Sequence, residues 1–259
     1  MKKCILIICS VIISSKAFSN DAFQELSIRY TGGPYEQEEF RYRLMRPLNV
    51  EKGKRYPLIL FLHGAGERGH DNELQLLYLP KQMAQPEFRR RYPCYFLAPQ
   101  CRKQKQWVNV AWGDKESTPM AKEPTHQLKV AIKVLEQTRR DYPIDKRRVY
   151  LTGLSMGGYG TWELAARHPK LFAAAAPICG GGDERQAKQL VKLPIWAFHG
   201  DADKAVPVER SRNMVEAVRK AEGTVKYTEY PGVGHNSWTR TYQDPDGLLP
   251  WMFRQIRPE

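Results

Sequence analysis

Ser155 sits in the run Gly153-Leu154-Ser155-Met156-Gly157-Gly158, with a glycine two residues before it and another two residues after. A serine needed only for solubility has no use for that spacing. A nucleophilic serine on a sharp strand-to-helix turn does, because its backbone is strained and side chains at the −2 and +2 positions would collide. Glycine removes the collision. Val149, Tyr150 and Leu151 upstream suit a strand, and "TWELAARHPKLF" downstream holds good helix formers up to Pro169. The pattern alone fits a plain glycine-rich turn equally well.

A serine nucleophile requires a base, and the base an acid that orients it. Of the six histidines, His126 and His168 fall in or at the end of predicted helices, and His70 in a polar loop. His63 and His199 each precede a glycine at a strand end, where an imidazole braces a loop. His235 follows the last predicted strand in a glycine-rich loop. Ser155, Asp203 and His235 come in the chain order that strand–turn–helix nucleophiles use. Asp201 competes for the part of the acid.

The elements that must hold these groups are legible as short apolar runs. "PLILFL", "YFLAP", "VYL", "AAAAPI" and "PIWAF" read as strands buried on both faces. "THQLKVAIKVLEQTRRDY" places Leu128, Ala131, Ile132 and Leu135 on one helical stripe. "VERSRNMVEAVRKAEG" does the same with Met214, Val215 and Val218 before Gly223. Strands alternating with helices predict an α/β fold: a mostly parallel central sheet with helices on both faces. Phe40, Tyr42 and Leu44 alternate with Glu39, Arg41 and Arg43, which predicts a half-exposed N-terminal strand antiparallel to "ELSIRY". His63, Ser155, Asp183, His199, Asp201, Asp203 and His235 fall at or after the carboxyl ends of strands, where such sheets place their chemistry.

Four segments in order, "HGAGERG", "GLSMGG", "HGDADKAVP" and "GVGHNSW", resemble the signature segments of the α/β-hydrolase superfamily. More narrowly they resemble small secreted esterases of the dienelactone-hydrolase, phospholipase/carboxylesterase and feruloyl-esterase neighbourhood, also described as predicted peptidases with a prolyl-oligopeptidase-like catalytic domain. The likeness runs over roughly residues 40 to 240. It implies an α/β-hydrolase fold and a triad of Ser155, Asp203 and His235, and the short stretch between "GGGD" and "PIWAF" leaves no room for a large lid. Val206-Pro207 closes the acid segment, and Asp201 structures the loop. It also implies an oxyanion hole built from the amides of Met156 and Ala65, with Gly66 as the alternative to Ala65.

The loop "CRKQKQWVNVAWGD" carries Trp107 and Trp112; with Gln100 and Trp238 they are the expected substrate-binding side chains. Burial in the core is the alternative for the two loop tryptophans. No HExxH, CxxC or P-loop spacing occurs, so no metal or organic cofactor is expected.

Lys2 and Lys3, the apolar run "CILIICSVII" and the small-residue stretch "SSKAFSN" form the pattern of a secretory signal peptide over residues 1–19, too short to span a bilayer. Residues 20–259 are then one domain, secreted or periplasmic, with no stable membrane insertion. Its net charge falls from +13 to +10 because three lysines leave with the signal. That excess reads as a solvated basic face, and no nucleic-acid module is visible. Cys94, Cys101 and Cys179 remain; their odd count gives no disulfide framework. The expected function is hydrolysis of carboxylic esters through an acyl-enzyme, with small esters or acyl and phenolic esters on plant polysaccharide as substrates. A serine peptidase and a non-catalytic binding module are the rival readings.

Overall fold

The computed structural model describes residues 22–258, so the predicted signal peptide lies outside the described residues. Strand β1 (Phe23–Gly32) pairs antiparallel with β2 (Tyr35–Met45), setting Ile28 opposite Phe40. Beyond β2 come β4 (Tyr95–Pro99), β3 (Tyr56–Leu62), β5 (Ile144–Leu154), β6 (Ala174–Ile178), β7 (Ile195–Gly200) and β8 (Val225–Tyr230). β2 is antiparallel to β4, and every pairing from β4 to β8 is parallel. This is the predicted mostly parallel sheet with antiparallel N-terminal strands.

All seven residues of β3 are buried. Leu58, Leu60 and Leu62 join the core on one face of the sheet, while Ile59 and Phe61 join the core on the other. Each such side chain contributes about 1.5–3 kcal/mol of transfer free energy. The alternation predicted for β2 fails at Arg43, which is only 4% exposed. Its guanidinium donates to the carbonyls of Asn72 (2.6 Å) and Phe23 (3.1 Å) and meets Glu25 at 2.7 Å. A fully bonded fork tolerates burial where a bare charge would not.

Two short helices, α1 (Leu79–Met83) and α2 (Pro86–Arg91), connect β3 to β4. Helix α3 (His126–Asp141) starts at Thr125, whose hydroxyl accepts from the Leu128 amide at 3.1 Å, and it buries the stripe Leu128, Ala131, Val134 and Leu135. Helix α4 (Met156–Arg167) follows β5 directly. The short α5 (Ala187–Leu190) lies between β6 and β7, so no large insertion covers the carboxyl ends there. Helix α6 (Glu209–Lys220) buries Met214, Val215 and Val218 as predicted, and α7 (Trp238–Gln243) and α8 (Leu248–Arg254) close the described chain. Among the described residues no helix is long and apolar enough to cross a membrane.

The stretch 101–125 holds no helix or strand. Its backbone is tied down from the body of the molecule. Arg167 donates to the carbonyls of Ala121 (2.6 Å) and Lys122 (3.1 Å), and Arg210 to that of Glu116. Asp183 accepts from the Met120 amide at 2.8 Å. Cys94, Cys101 and Cys179 are buried free thiols.

Candidate active site

Ser155 occupies the one-residue turn between β5 and α4 with φ 54° and ψ −120°, a left-handed conformation that costs a non-glycine residue energy. The flanking glycines are needed for the reason the sequence suggested. A Cβ on Gly153 would stand 2.5 Å from the Gly157 carbonyl oxygen and 2.6 Å from that of Leu62. One on Gly157 would run into the Leu62 carbonyl itself. The Ser155 amide donates to Ile178 O at 2.9 Å, which fixes the turn to the end of β6.

His235, in the loop after β8, places Nε2 2.9 Å from Ser155 Oγ and Nδ1 2.7 Å from Asp203 Oδ2. Asp203 lies after β7 with its side chain fully buried, and its Oδ1 accepts from the amides of Ala205 (2.8 Å) and Val206 (3.0 Å). Burial pushes this carboxyl up, but hydrogen bonds from His199, His235 and the Val206 amide outweigh it and hold Asp203 well below the usual carboxylate range. It is therefore a charged acceptor near neutral pH. Asp201 faces elsewhere: its Oδ1 accepts from the Gly232 amide at 2.7 Å.

Met156 is the first residue of α4, and Ala65 the first of the 3₁₀ turn Ala65–Glu67 that follows β3. First-turn amides have no acceptor within their own helix. Both residues stand beside Ser155: Met156 by sequence, Ala65 as part of the same cleft wall. Behind them His63 is the brace its position predicted. It is 1% exposed, its Nε2 accepts from the Cys101 amide (2.9 Å) and its Nδ1 donates to Gly64 O (2.6 Å). Burial lowers its pKa to about 4, so it stays neutral.

Residues 96–246 match the model of the dienelactone hydrolase family, more than half of the chain. The chain belongs to that family. A putative carboxymethylenebutenolidase of Escherichia coli (strain K12) is 33% identical over 100 residues, covering 35% of this chain and 37% of the relative. The crystal structure of a thermostable esterase is 40% identical with a TM-score of 0.81, over 92% of this chain and 64% of that one. The chain thus spans about a third of that curated relative and under two thirds of the solved esterase. A ferulic acid esterase structure superposes with a TM-score of 0.64 at 17% identity, covering 90% and 97% of the two chains, and shows the shared fold. The sheet described above is that of the α/β-hydrolases.

In this dienelactone-hydrolase-family chain, Ser155 and His235 open onto a cleft of about 340 Å³ walled by Glu67, Tyr78, Trp112, Val206 and Trp238. Trp112 and Trp238, two of the four residues expected to bind substrate, line this cleft. Trp238 meets the His235 ring edge-on at 5.3 Å, and Trp112 carries the Arg68 guanidinium over its ring at 5.7 Å. The other two expectations are corrected. Trp107 is 1% exposed and its indole N–H donates to His63 O at 3.0 Å, so it packs beneath the loop. Gln100 is 5% exposed, and its amide is committed to Asn72 N, Glu67 O and Asp71 Oδ1.

Two wall residues were missed. Tyr78 has φ 60° and ψ −116°, and its ring packs on Trp238 at 5.5 Å; nothing in the local sequence signals a strained tyrosine. Glu67 is 7% exposed, burial raises its pKa, and its Oε2 has no hydrogen-bond partner among the described residues. Its place inside "HGAGERG" was the available signal. Cys179, Asp203 and His235 bring potential metal-ligand atoms within 4.8 Å of one another. The carboxylate and the imidazole already bond each other, and burial pushes the Cys179 thiol far up, so the set is not a ready cation site.

Proposed function

We propose that this chain is a serine esterase that cleaves carboxylic esters through an acyl-enzyme on Ser155. The observation that carries the reading is the unbroken path Ser155 Oγ–His235 Nε2–His235 Nδ1–Asp203 Oδ2, at 2.9 and 2.7 Å. As Ser155 Oγ attacks the ester carbonyl, His235 Nε2 takes its proton, and Asp203 stabilises the imidazolium. The amides of Met156 and Ala65 donate to the oxyanion; one such donor is worth about 2.7–4 kcal/mol in the transition state. Collapse of the tetrahedral intermediate breaks the ester C–O bond, and the departing alkoxide takes the proton from His235 Nε2. Water then attacks the acyl-enzyme with His235 as base, releasing the acid and restoring Ser155.

The aromatic wall of Tyr78, Trp112 and Trp238 supports acyl or phenolic esters of the kind borne by plant polysaccharide. The charged, apolar and small-residue order of residues 1–19 supports export, to be checked by the intact mass of protein from its native host.

A fluorophosphonate probe tests the nucleophile: the wild type should be labelled at Ser155 and Ser155→Ala should not. An unlabelled wild type sinks the enzyme reading. Assay of p-nitrophenyl acetate beside a proline-containing anilide separates ester from peptide chemistry, and turnover of only the anilide overturns the esterase assignment.

A further inference from the structure

His199, the next-to-last residue of β7, is fully buried behind the triad. Its Nε2 lies 3.1 Å from Asp203 Oδ2 and 3.1 Å from Val206 O. Both neighbours are acceptors, so Nε2 carries the hydrogen and donates to them. The oxygen it reaches is the same Oδ2 that His235 Nδ1 meets at 2.7 Å. With the amides of Ala205 and Val206 on Oδ1, the Asp203 carboxylate has four N–H donors, two of them imidazoles on one oxygen.

On its far side His199 is fixed in turn. Its Nδ1 lies 2.7 Å from Ser211 Oγ on α6, and that hydroxyl lies 3.0 Å from Gly180 O in the loop after β6. Ser211 is 1% exposed. With its hydrogen on Nε2, His199 accepts at Nδ1 the single hydroxyl hydrogen of Ser211, so a chain of hydrogen bonds runs from α6 through β7 into the triad, and the Gly180 carbonyl only lies beside that hydroxyl. Rotating the Asp203 carboxylate about its Cβ–Cγ bond would break contacts with both imidazoles at once.

We propose that His199 is a positioning residue of the triad, which holds Asp203 Oδ2 in line with His235 and shares its negative charge between two rings. This rests on the serine-esterase reading above. A carboxylate with a second N–H donor is a weaker base toward His235. The proton that His235 keeps on Nδ1 stays there, and the imidazolium formed during attack is stabilised by a fixed amount rather than trapped. Other ionisable groups face this pair. Cys179 at the end of β6 and Tyr159 on α4 are both pushed up by burial and stay neutral. Glu229 on β8 is bound to Arg212 at 2.5 Å. The buried Arg210 on α6 lies over the Tyr159 ring at 5.4 Å.

The test is the pH dependence of kcat/KM for p-nitrophenyl acetate, normalised to sites counted with a fluorophosphonate, in wild type, His199→Leu, His199→Asn and His199→Gln. Without the His199 donor, charge concentrates on Oδ2 and His235 holds its proton to higher pH. The acid limb should therefore move up by about half to one pH unit in the Leu variant, with kcat lowered roughly tenfold or more. The longer Gln amide can restore a donor at the Nε2 position and should return the limb toward wild type; the shorter Asn amide should not. Acid limbs within about 0.2 unit of wild type in Leu and Asn overturn the proposal even if both melt earlier, because a merely structural role lowers stability without moving the limb. If the Leu variant does not fold, the Asn and Gln pair decides: equal profiles overturn it. A wild type that is not labelled at Ser155 removes the underlying esterase reading instead.

Discussion

Gly157 lies against the carbonyl oxygen of Leu62 so closely that a Cβ at this glycine would overlap it. Leu62 ends β3, one residue before the loop that carries Ala65, and Gly157 is the second residue of α4. The contact therefore sets the separation of the two candidate oxyanion amides. Gly157→Ala should lower kcat by about a hundredfold or more through loss of one donor's alignment. Gly66→Ala, where a Cβ would meet nothing within 4 Å, should keep at least roughly half of wild-type kcat. Steady-state kinetics on the two variants check this, and equal losses would count against it.

Asp203 and Asp201 make opposite predictions from positions two apart. Asp203→Asn leaves His235 Nδ1 without a charged acceptor, and kcat should fall by about three to four orders of magnitude. Asp201→Asn perturbs only a bond to the Gly232 amide and should cost less than about tenfold. Thermal melts serve as the folding control. A dead Asp201 variant beside an active Asp203 variant would refute the assignment.

The two loop tryptophans separate stability from binding. Trp107→Ala empties a buried site and should cost about 3–5 kcal/mol of stability. Trp112→Ala removes part of the cleft wall and should raise KM for an aromatic ester several-fold with little change in Tm. Denaturant melts together with KM for a feruloyl ester read both effects.

Glu67 gives a pH-dependent stability with a definite sign. Burial raises its folded pKa above the unfolded value, so the folded state binds the proton more tightly. The carboxyl thus costs nothing at pH well below the unfolded pKa, and its full cost appears as pH rises past the folded pKa. Glu67→Gln should raise Tm at pH 8 by a few degrees, on the order expected for about 1 kcal/mol, and leave it nearly unchanged at pH 4. A larger gain at pH 4 than at pH 8 would reverse the sign and defeat the account.

What could be read from the sequence was what residue type dictates locally. Gly153 and Gly157 announce a backbone crowded against Leu62, and unbroken apolar runs such as "PLILFL" announce strands covered on both faces. Spacing could not choose between Asp201 and Asp203; the motif resemblance pointed to Asp203, and the structure sets it against His235. Trp107 and Trp112 sit five apart in an irregular segment with no periodicity, so nothing local says which is buried. Arg43 obeys strand alternation in sequence but is drawn inward by carbonyls 20 and 29 residues away. The bond of His199 to Asp203 was hidden for the same reason: the four-residue spacing is visible, but the loop conformation that closes it is not.

Within the stretch 101–125, residues 116–122 are fastened mainly through their main chain. Arg167 and Arg210 donate to the carbonyls of Ala121, Lys122 and Glu116, Asp183 accepts the amide of Met120, and the Tyr159 hydroxyl donates to the carbonyl of Trp112. Every residue type supplies that carbonyl, and all but proline supply that amide. Those bonds are therefore indifferent to the side chains at 116–122, unlike the seat of the buried Trp107. Substitutions at 116–122 leave these bonds in place, while Ser155, Asp203 and His235 are held at strand ends. Such a division leaves this rim of the molecule free to change its side chains around three fixed groups.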